Sequence, residues 1–144
     1  MRLVVQRVLK AQVFVNLKQI GSIGQGAVAL LGINSQDTYE KIPYLVKKFS
    51  QLRMFPNARG KMDLSLLDLK LELLIISQFT LYADYTAGRR PNFLQAASPD
   101  IAKPLYQAFI DQMQLLLPVQ TGIFGADMKL HLINDGPVTF ILDH

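Results

Sequence analysis

The chain has 144 residues and a formal net charge of +4, with half its residues hydrophobic and 18% charged. That balance excludes a mainly disordered protein, and the length suffices for one compact core without disulfide staples. There is no cysteine, which excludes thiol nucleophiles, cysteine-ligated zinc, iron–sulfur clusters and a disulfide framework, and fits a reducing compartment.

The opening MRLVVQRVLKAQVFVN is interrupted by Arg2, Gln6, Arg7 and Lys10 and does not read as a signal peptide. No apolar run approaches the roughly 20 residues that span a bilayer, so a cytoplasmic address is expected. A pI near 9.4 leans towards anionic partners such as nucleic acid. With no linker, repeat or low-complexity tract, residues 1–144 read as one domain.

Leu3-Val4-Val5 and then Val8 to Val15 are β-branched and alternating, which predicts strands. Gly21, Gly24 and Gly26 punctuate a turn-rich stretch, and Ala27 to Ile33 is a buried-strand run. Asp37-Thr38-Tyr39-Glu40 has the pattern of a capping box. Ile42, Leu45, Val46, Phe49 and Leu52 follow at helical spacing, with Pro43 predicting a kink or a late start. Arg53-Met54-Phe55 suits a short strand, and 56–60 a turn. Residues 64–79 carry both a leucine stripe and an alternating stretch. The short run Leu73 to Ile76 favours a central strand ending at Ser77-Gln78.

Ser98-Pro99-Asp100 reads as a capped helix start, and Ile101, Leu105, Phe109, Met113 and Leu116 form its core stripe, with Pro104 predicting a distorted first turn. The C-terminus returns to strands: Met128 to Ile133, a turn at Asn134-Asp135-Gly136-Pro137, and Val138 to Leu142. The order predicts an α/β fold, a mixed and largely antiparallel sheet with two main helices.

Two histidines are a thin supply for acid–base chemistry: His131 lies inside a predicted strand and His144 is the last residue. No His, Asp or Glu spacing suggests a metal site, and no Walker or dinucleotide glycine pattern is present. What remains is small polar residues at strand ends. Ser77-Gln78-Phe79-Thr80 follows the most apolar strand, where backbone N–H groups and hydroxyls can converge on a ligand, unless the strand simply ends there. Arg89-Arg90-Pro91-Asn92-Phe93 sets two guanidinium groups beside an aromatic, suited to phosphate or base contact or to a solvated loop. Lys47, Lys48, Arg53, Arg59 and Lys61 make either an RNA-facing surface or an ordinary exposed helix face. A Gly136-Pro137 bond is a place where a cis peptide costs only about 0.5–1 kcal/mol.

Ser77-Gln78-Phe79-Thr80-Leu81 with Ala83-Asp84, and Asn134-Asp135-Gly136-Pro137-Val138-Thr139-Phe140, resemble the two signature motifs of the D-aminoacyl-tRNA deacylases. The likeness extends through Gln6-Arg7-Val8, Gly60-Lys61-Met62, Arg90 to Phe93, Ala97 to Asp100 and Thr121 to Met128, covering nearly the whole chain in order. The resemblance implies a cytoplasmic homodimer that hydrolyses the ester between a D-amino acid, or misplaced glycine, and the terminal ribose of tRNA.

It further implies a cis Gly136-Pro137 bond that reaches into the partner's site, where two carbonyls meet the substrate amine and exclude an L side chain. Arg7 would brace that motif. Ser77, Gln78, Phe79 and Thr80 would form the catalytic segment, its backbone N–H groups polarising the ester carbonyl. Phe124 and Met128 would wall the adenosine pocket. An aminoacyl ester is already activated, and the resemblance assigns activation of water to the tRNA 2′-hydroxyl, with no cofactor, metal or covalent nucleophile. Two rivals remain. One is a sister deacylase with a trans Gly-Pro that clears L-alanine, against which Arg7 and Ser77-Gln78 argue. The other is a non-catalytic RNA-binding module.

Overall fold

The computed structural model describes residues 1–144 and opens on β1 (Arg2–Val15), which turns at Asn16-Leu17 into β2 (Lys18–Ile23). Both turn residues take positive φ, 49° and 64°, the hairpin geometry whose twist matches the flanking strands. In chain order there follow β3 (Gly26–Gly32), α1 (Ile42–Ser50), β4 (Phe55–Pro56), β5 (Met62–Leu64), α2 (Leu66–Leu69) and β6 (Glu72–Ser77). The last elements are α3 (Pro99–Gln114), β7 (Val119–Thr121) and β8 (Lys129–Asp143).

The main sheet runs β2-β1-β3-β6-β7, with β8 on the other edge of β1. β3, β6 and β7 are mutually parallel, and every pairing of β1 is antiparallel. The two parallel connections contain α1 and α3, which pack on one face of the sheet, as a crossover requires. Alternate residues explain why β3 and β6 read as continuous apolar runs. Ala27, Ala29, Leu31, Leu73 and Ile75 face the helices, whereas Val28, Leu74 and Ile76 face the second half of β1 and the start of β8. Gly26 lets β3 and β6 close up, because a Cβ there would overlap the Glu72 carbonyl oxygen.

β1 serves both layers by changing parity. Leu3 and Val5 belong to the helix-side core, while Ala11 and Val13, also odd-numbered, belong to the other. The change follows a register shift against β8 between Val8 and Lys10, where one extra residue turns the side chains over. The two predicted opening strands are therefore one strand with a bulge.

The same irregularity corrects the predicted C-terminal turn. Residues 134–137 lie within the single strand β8, whose register shifts opposite Gln6, Val8 and Lys10. Gly21 likewise lies inside β2 and is not a turn residue. The capping box expected at 37–40 does not form: Thr38 caps a 3₁₀ turn (Tyr39–Lys41) with no side-chain bond. Asp37 is buried instead, accepting from the Met1 amine at 2.6 Å, Lys41 Nζ at 3.0 Å and Asn34 N–H at 2.7 Å. A true capping box joins Ser65 and Asp68 at the start of α2. Pro43 occupies the first turn of α1, so that helix starts late as predicted. Ser98 precedes α3 without a side-chain cap, and Pro104 lies exposed within a continuous helix.

Candidate active site

β6 emerges from the core at Ser77 and passes directly into a 3₁₀ turn (Phe79–Tyr82). Beside this exit lies a cavity of about 680 Å³. Leu30 and Ile76 form its floor, Met128 and Leu130 one wall, the loop from Phe124 to Asp127 another, and Pro99 and Ala102 the side towards α3. Ser77, Gln78 and Phe79 make its polar end. Most of the lining is apolar, which suits a flat, uncharged group held against a few directed polar atoms.

The polar end is organised locally. Ser77 Oγ accepts the Gly125 N–H at 3.4 Å, tying strand end to loop. The Gln78 N–H donates to Leu31 O at 2.9 Å, so it is committed to the sheet. Of the amides expected to act together, those of Phe79 and Thr80 remain, since the first N–H groups of a helical turn have no partner within it. Thr80 lies just outside the lining. Its hydroxyl accepts from Gln78 Nε2 at 2.5 Å, and neither a histidine nor a carboxylate bonds to it.

Phe79 is exposed and meets Phe93 edge-on at 4.9 Å. Phe93 follows the neck of a loop closed by paired backbone bonds between Asp84 and Asn92, at 2.9 and 2.8 Å. Arg89 and Arg90 lie exposed in that loop, without an ion pair. Hydrogen bonds from Thr86 hold the Asp84 carboxyl below its usual range, while burial raises the Tyr82 hydroxyl well above its own and keeps it protonated.

Phe124 and Met128 come together in the cavity. Phe124 leans on Tyr106 at 5.4 Å, and Met128 Sδ occupies the space that a side chain at Gly122 would take. The other singled-out residues are placed elsewhere. Arg7 is buried; its Nη1 donates to Met54 O at 2.7 Å, and its Nε faces Asp135 O at 3.2 Å and Asp135 Oδ2 at 3.0 Å. The next residue, Gly136, has φ 123°, and a Cβ there would lie 2.8 Å from Val138 Cγ2 and 3.2 Å from Arg7 Nη2. The Gly136–Pro137 peptide is cis, and both residues are exposed. Arg7 is level with Ala27 and Leu73. That puts it two strands across and four residues short of Ser77, roughly 16 Å away at about 3.3 Å per residue and 4.8 Å per strand.

His131 stacks near Phe14 and His144 on Tyr44, both away from the cavity. No cluster of three His, Asp or Glu side chains is placed to hold a metal. Sequence reasoning missed the walls Leu30, Ile76 and Leu130, which look like any core residues of a strand. It also missed Gly122, whose role depends on a side chain six residues later.

These features define an α/β protein with a preformed apolar pocket, amide donors at one end and no activated side-chain nucleophile. The family model described as D-Tyr-tRNA(Tyr) deacylase matches residues 4–143. The chain belongs to this family, hydrolases of the ester bond of aminoacyl-tRNA. It is 55% identical to a D-aminoacyl-tRNA deacylase of Sulfurihydrogenibium sp. over 97% of this chain and 95% of that protein. With a D-aminoacyl-tRNA deacylase of Thermosipho africanus it shares 51% identity over 99% and 97% of the two chains. A solved structure described as a c-Myc DNA Unwinding Element Binding Protein superposes with a TM-score of 0.95 at 38% identity, over 100% of this chain and 99% of the other. A probable eukaryotic D-amino acid tRNA deacylase shares the fold at 19% identity, with a TM-score of 0.89 over 99% and 98%.

Proposed function

We propose that this D-aminoacyl-tRNA deacylase, one domain over residues 1–144, acts as a cytoplasmic homodimer that clears both D-amino acids and glycine from tRNA. The observation that supports this most is the separation within one chain: the exposed Gly136-Pro137 edge lies on β8, three strands from the Ser77–Phe79 cavity, and even Arg7, one strand nearer, is roughly 16 Å from Ser77 by strand register. A second subunit would bring one chain's Gly136-Pro137 to the other's cavity, joining the halves of the site.

The terminal adenosine then lies between Phe124 and Met128, its ester carbonyl directed at the Phe79 and Thr80 amides. Developing negative charge on that oxygen is stabilised by the two donors, each worth about 3–4 kcal/mol in a dry, preorganised site. The ester is already activated, and the ribose 2′-hydroxyl orients the attacking water, so no side-chain base is required. Ser77 and Gln78 hold the amide-bearing turn to the loop and the sheet, and Arg7 steadies the Gly136-Pro137 edge through Asp135. The edge receives the substrate amine and leaves no room for an L substituent. Glycine, with no side chain, passes the same filter.

The test is hydrolysis of D-Tyr-tRNA, L-Tyr-tRNA and Gly-tRNA by the purified protein, with and without a chelator, beside its mass in solution. Rapid, chelator-resistant loss of D-Tyr and Gly from a species of twice the chain mass is expected. Preferential release of L-alanine from tRNA would favour the sister activity, and a monomer with full chiral selectivity would overturn the shared site.

A further inference from the structure

The turn that holds the Phe79 and Thr80 amides is gripped from outside by a residue in neither signature motif. We propose that Arg2 is a positioning residue of the deacylation site, clamping the turn Phe79–Tyr82 onto the end of the sheet; this rests on the role proposed above for those amides.

Arg2 is the first residue of β1, level with Gly32 on one side and Asp143 on the other. Its Nε and Nη2 hold the two oxygens of Asp143 at 2.6 and 3.3 Å. That leaves Nη1 to donate to Leu81 O at 3.0 Å, and the guanidinium lies over the Tyr82 ring at 5.3 Å. A planar fork can make all three contacts at once, which a lysine ammonium cannot.

The turn has little to hold it otherwise. Four residues of 3₁₀ helix have poor internal hydrogen-bond geometry; the Leu81 N–H reaches Gln78 O only at 3.4 Å, and the Ala83 N–H closes the end on Thr80 O at 3.1 Å. Beneath it is Gly32, where a Cβ would lie 3.0 Å from Gln78 O and 3.1 Å from Leu81 Cβ. The turn therefore sits against bare backbone, pinned at Gln78 by Leu31 O and at Leu81 by Arg2. The Leu81 carbonyl lies in the Leu81–Tyr82 peptide plane, two planes on from the one that carries the Thr80 N–H, so holding it limits how far the short turn, and the amides at its start, can rotate off the sheet.

The experiment compares wild type, R2M and R2K in steady-state deacylation of D-Tyr-tRNA, with hydrogen exchange and thermal melting. R2M is expected to lose about 100-fold in kcat, the cost of a misplacement near 1 Å, with KM changed less than about two-fold. Faster exchange should be confined to residues 80–83. R2K, which keeps a charge for Asp143 but not the third contact, should recover melting temperature without recovering kcat. Unchanged kcat in R2M, or a rise in KM alone, overturns the clamp. Full recovery of kcat in R2K would reduce Arg2 to an ordinary ion pair. A wild type inert towards D-Tyr-tRNA would instead overturn the reading of the amide segment, and the clamp's catalytic purpose with it.

Discussion

Replacing Arg7 by methionine separates its structural role from its proposed functional one. Methionine refills the volume of the stem but removes three donor contacts. Met54 O loses a 2.7 Å bond in a residue with no solvent exposure, and an unpaired buried acceptor costs about 1–3 kcal/mol. The Asp135 side chain keeps 30% exposure, so water takes over part of its hydration and its loss is nearer 0.5–1 kcal/mol, as for ordinary ion pairs. Removing the desolvated guanidinium returns a fraction of this. The net expectation is a loss of about 2–3 kcal/mol, or roughly 7–10 °C in melting temperature for a domain of this size. Urea unfolding followed by circular dichroism measures the first, and the ratio of D-Tyr-tRNA to L-Tyr-tRNA hydrolysis the second. That ratio should fall at least tenfold, because the Gly136-Pro137 edge loses its anchor. A stability loss under 1 kcal/mol would refute the energetic reasoning, and an unchanged ratio would refute the bracing role.

Gly26→Ala drives a methyl group into the Glu72 carbonyl and should cost about 3 kcal/mol or more, the upper end of ordinary overpacking; denaturant midpoints will show it. Gly122→Ala displaces Met128 into the cavity and should raise KM for D-aminoacyl-tRNA by about tenfold, the effect of one misplaced methylene, with a far smaller effect on stability. Pro137 substitutions should relax or abolish chiral selection, and unchanged D-over-L preference would contradict the exclusion mechanism. Burial pushes the Asp37 carboxyl up, but hydrogen bonds from the Met1 amine, Asn34 N–H and Lys41 outweigh it and hold the carboxyl below its usual range. A carboxyl depressed in the folded state stabilises above its unfolded value near 3.8 and loses that contribution as pH falls. Asp37→Asn should therefore cost about 3 kcal/mol at pH 7 and flatten the acid limb of unfolding below pH 4; an unchanged limb would assign it to other carboxylates.

The sheet centre was legible because burial on both faces writes an unbroken apolar run, as in Ala27–Leu31 and Leu73–Ile76. The stripes of α1 and α3 were legible by their spacing, and the polar exit at Ser77 by its contrast with what precedes it. Pairing over long range was not legible. Asn-Asp-Gly-Pro has the composition of a turn, but its strand continues because β1 runs alongside and absorbs the irregularity as a bulge. Asp37 has the sequence context of a cap, but its strongest partner lies 36 residues away. Leu30 and Leu130 meet across the cavity only after the second half of β1 has brought β8 over the sheet.

β1 also acts as a ruler. Arg2 sits at one mark, beneath the turn beside the cavity, and Arg7 at another, beneath Gly136-Pro137. The two marks are five residues apart, about 17 Å of extended chain, and point to opposite faces. A single inserted or deleted residue between them would move the marks and turn one of the two guanidinium groups to the wrong side, whereas the β1–β2 hairpin tip at Asn16-Leu17 can change length without moving either.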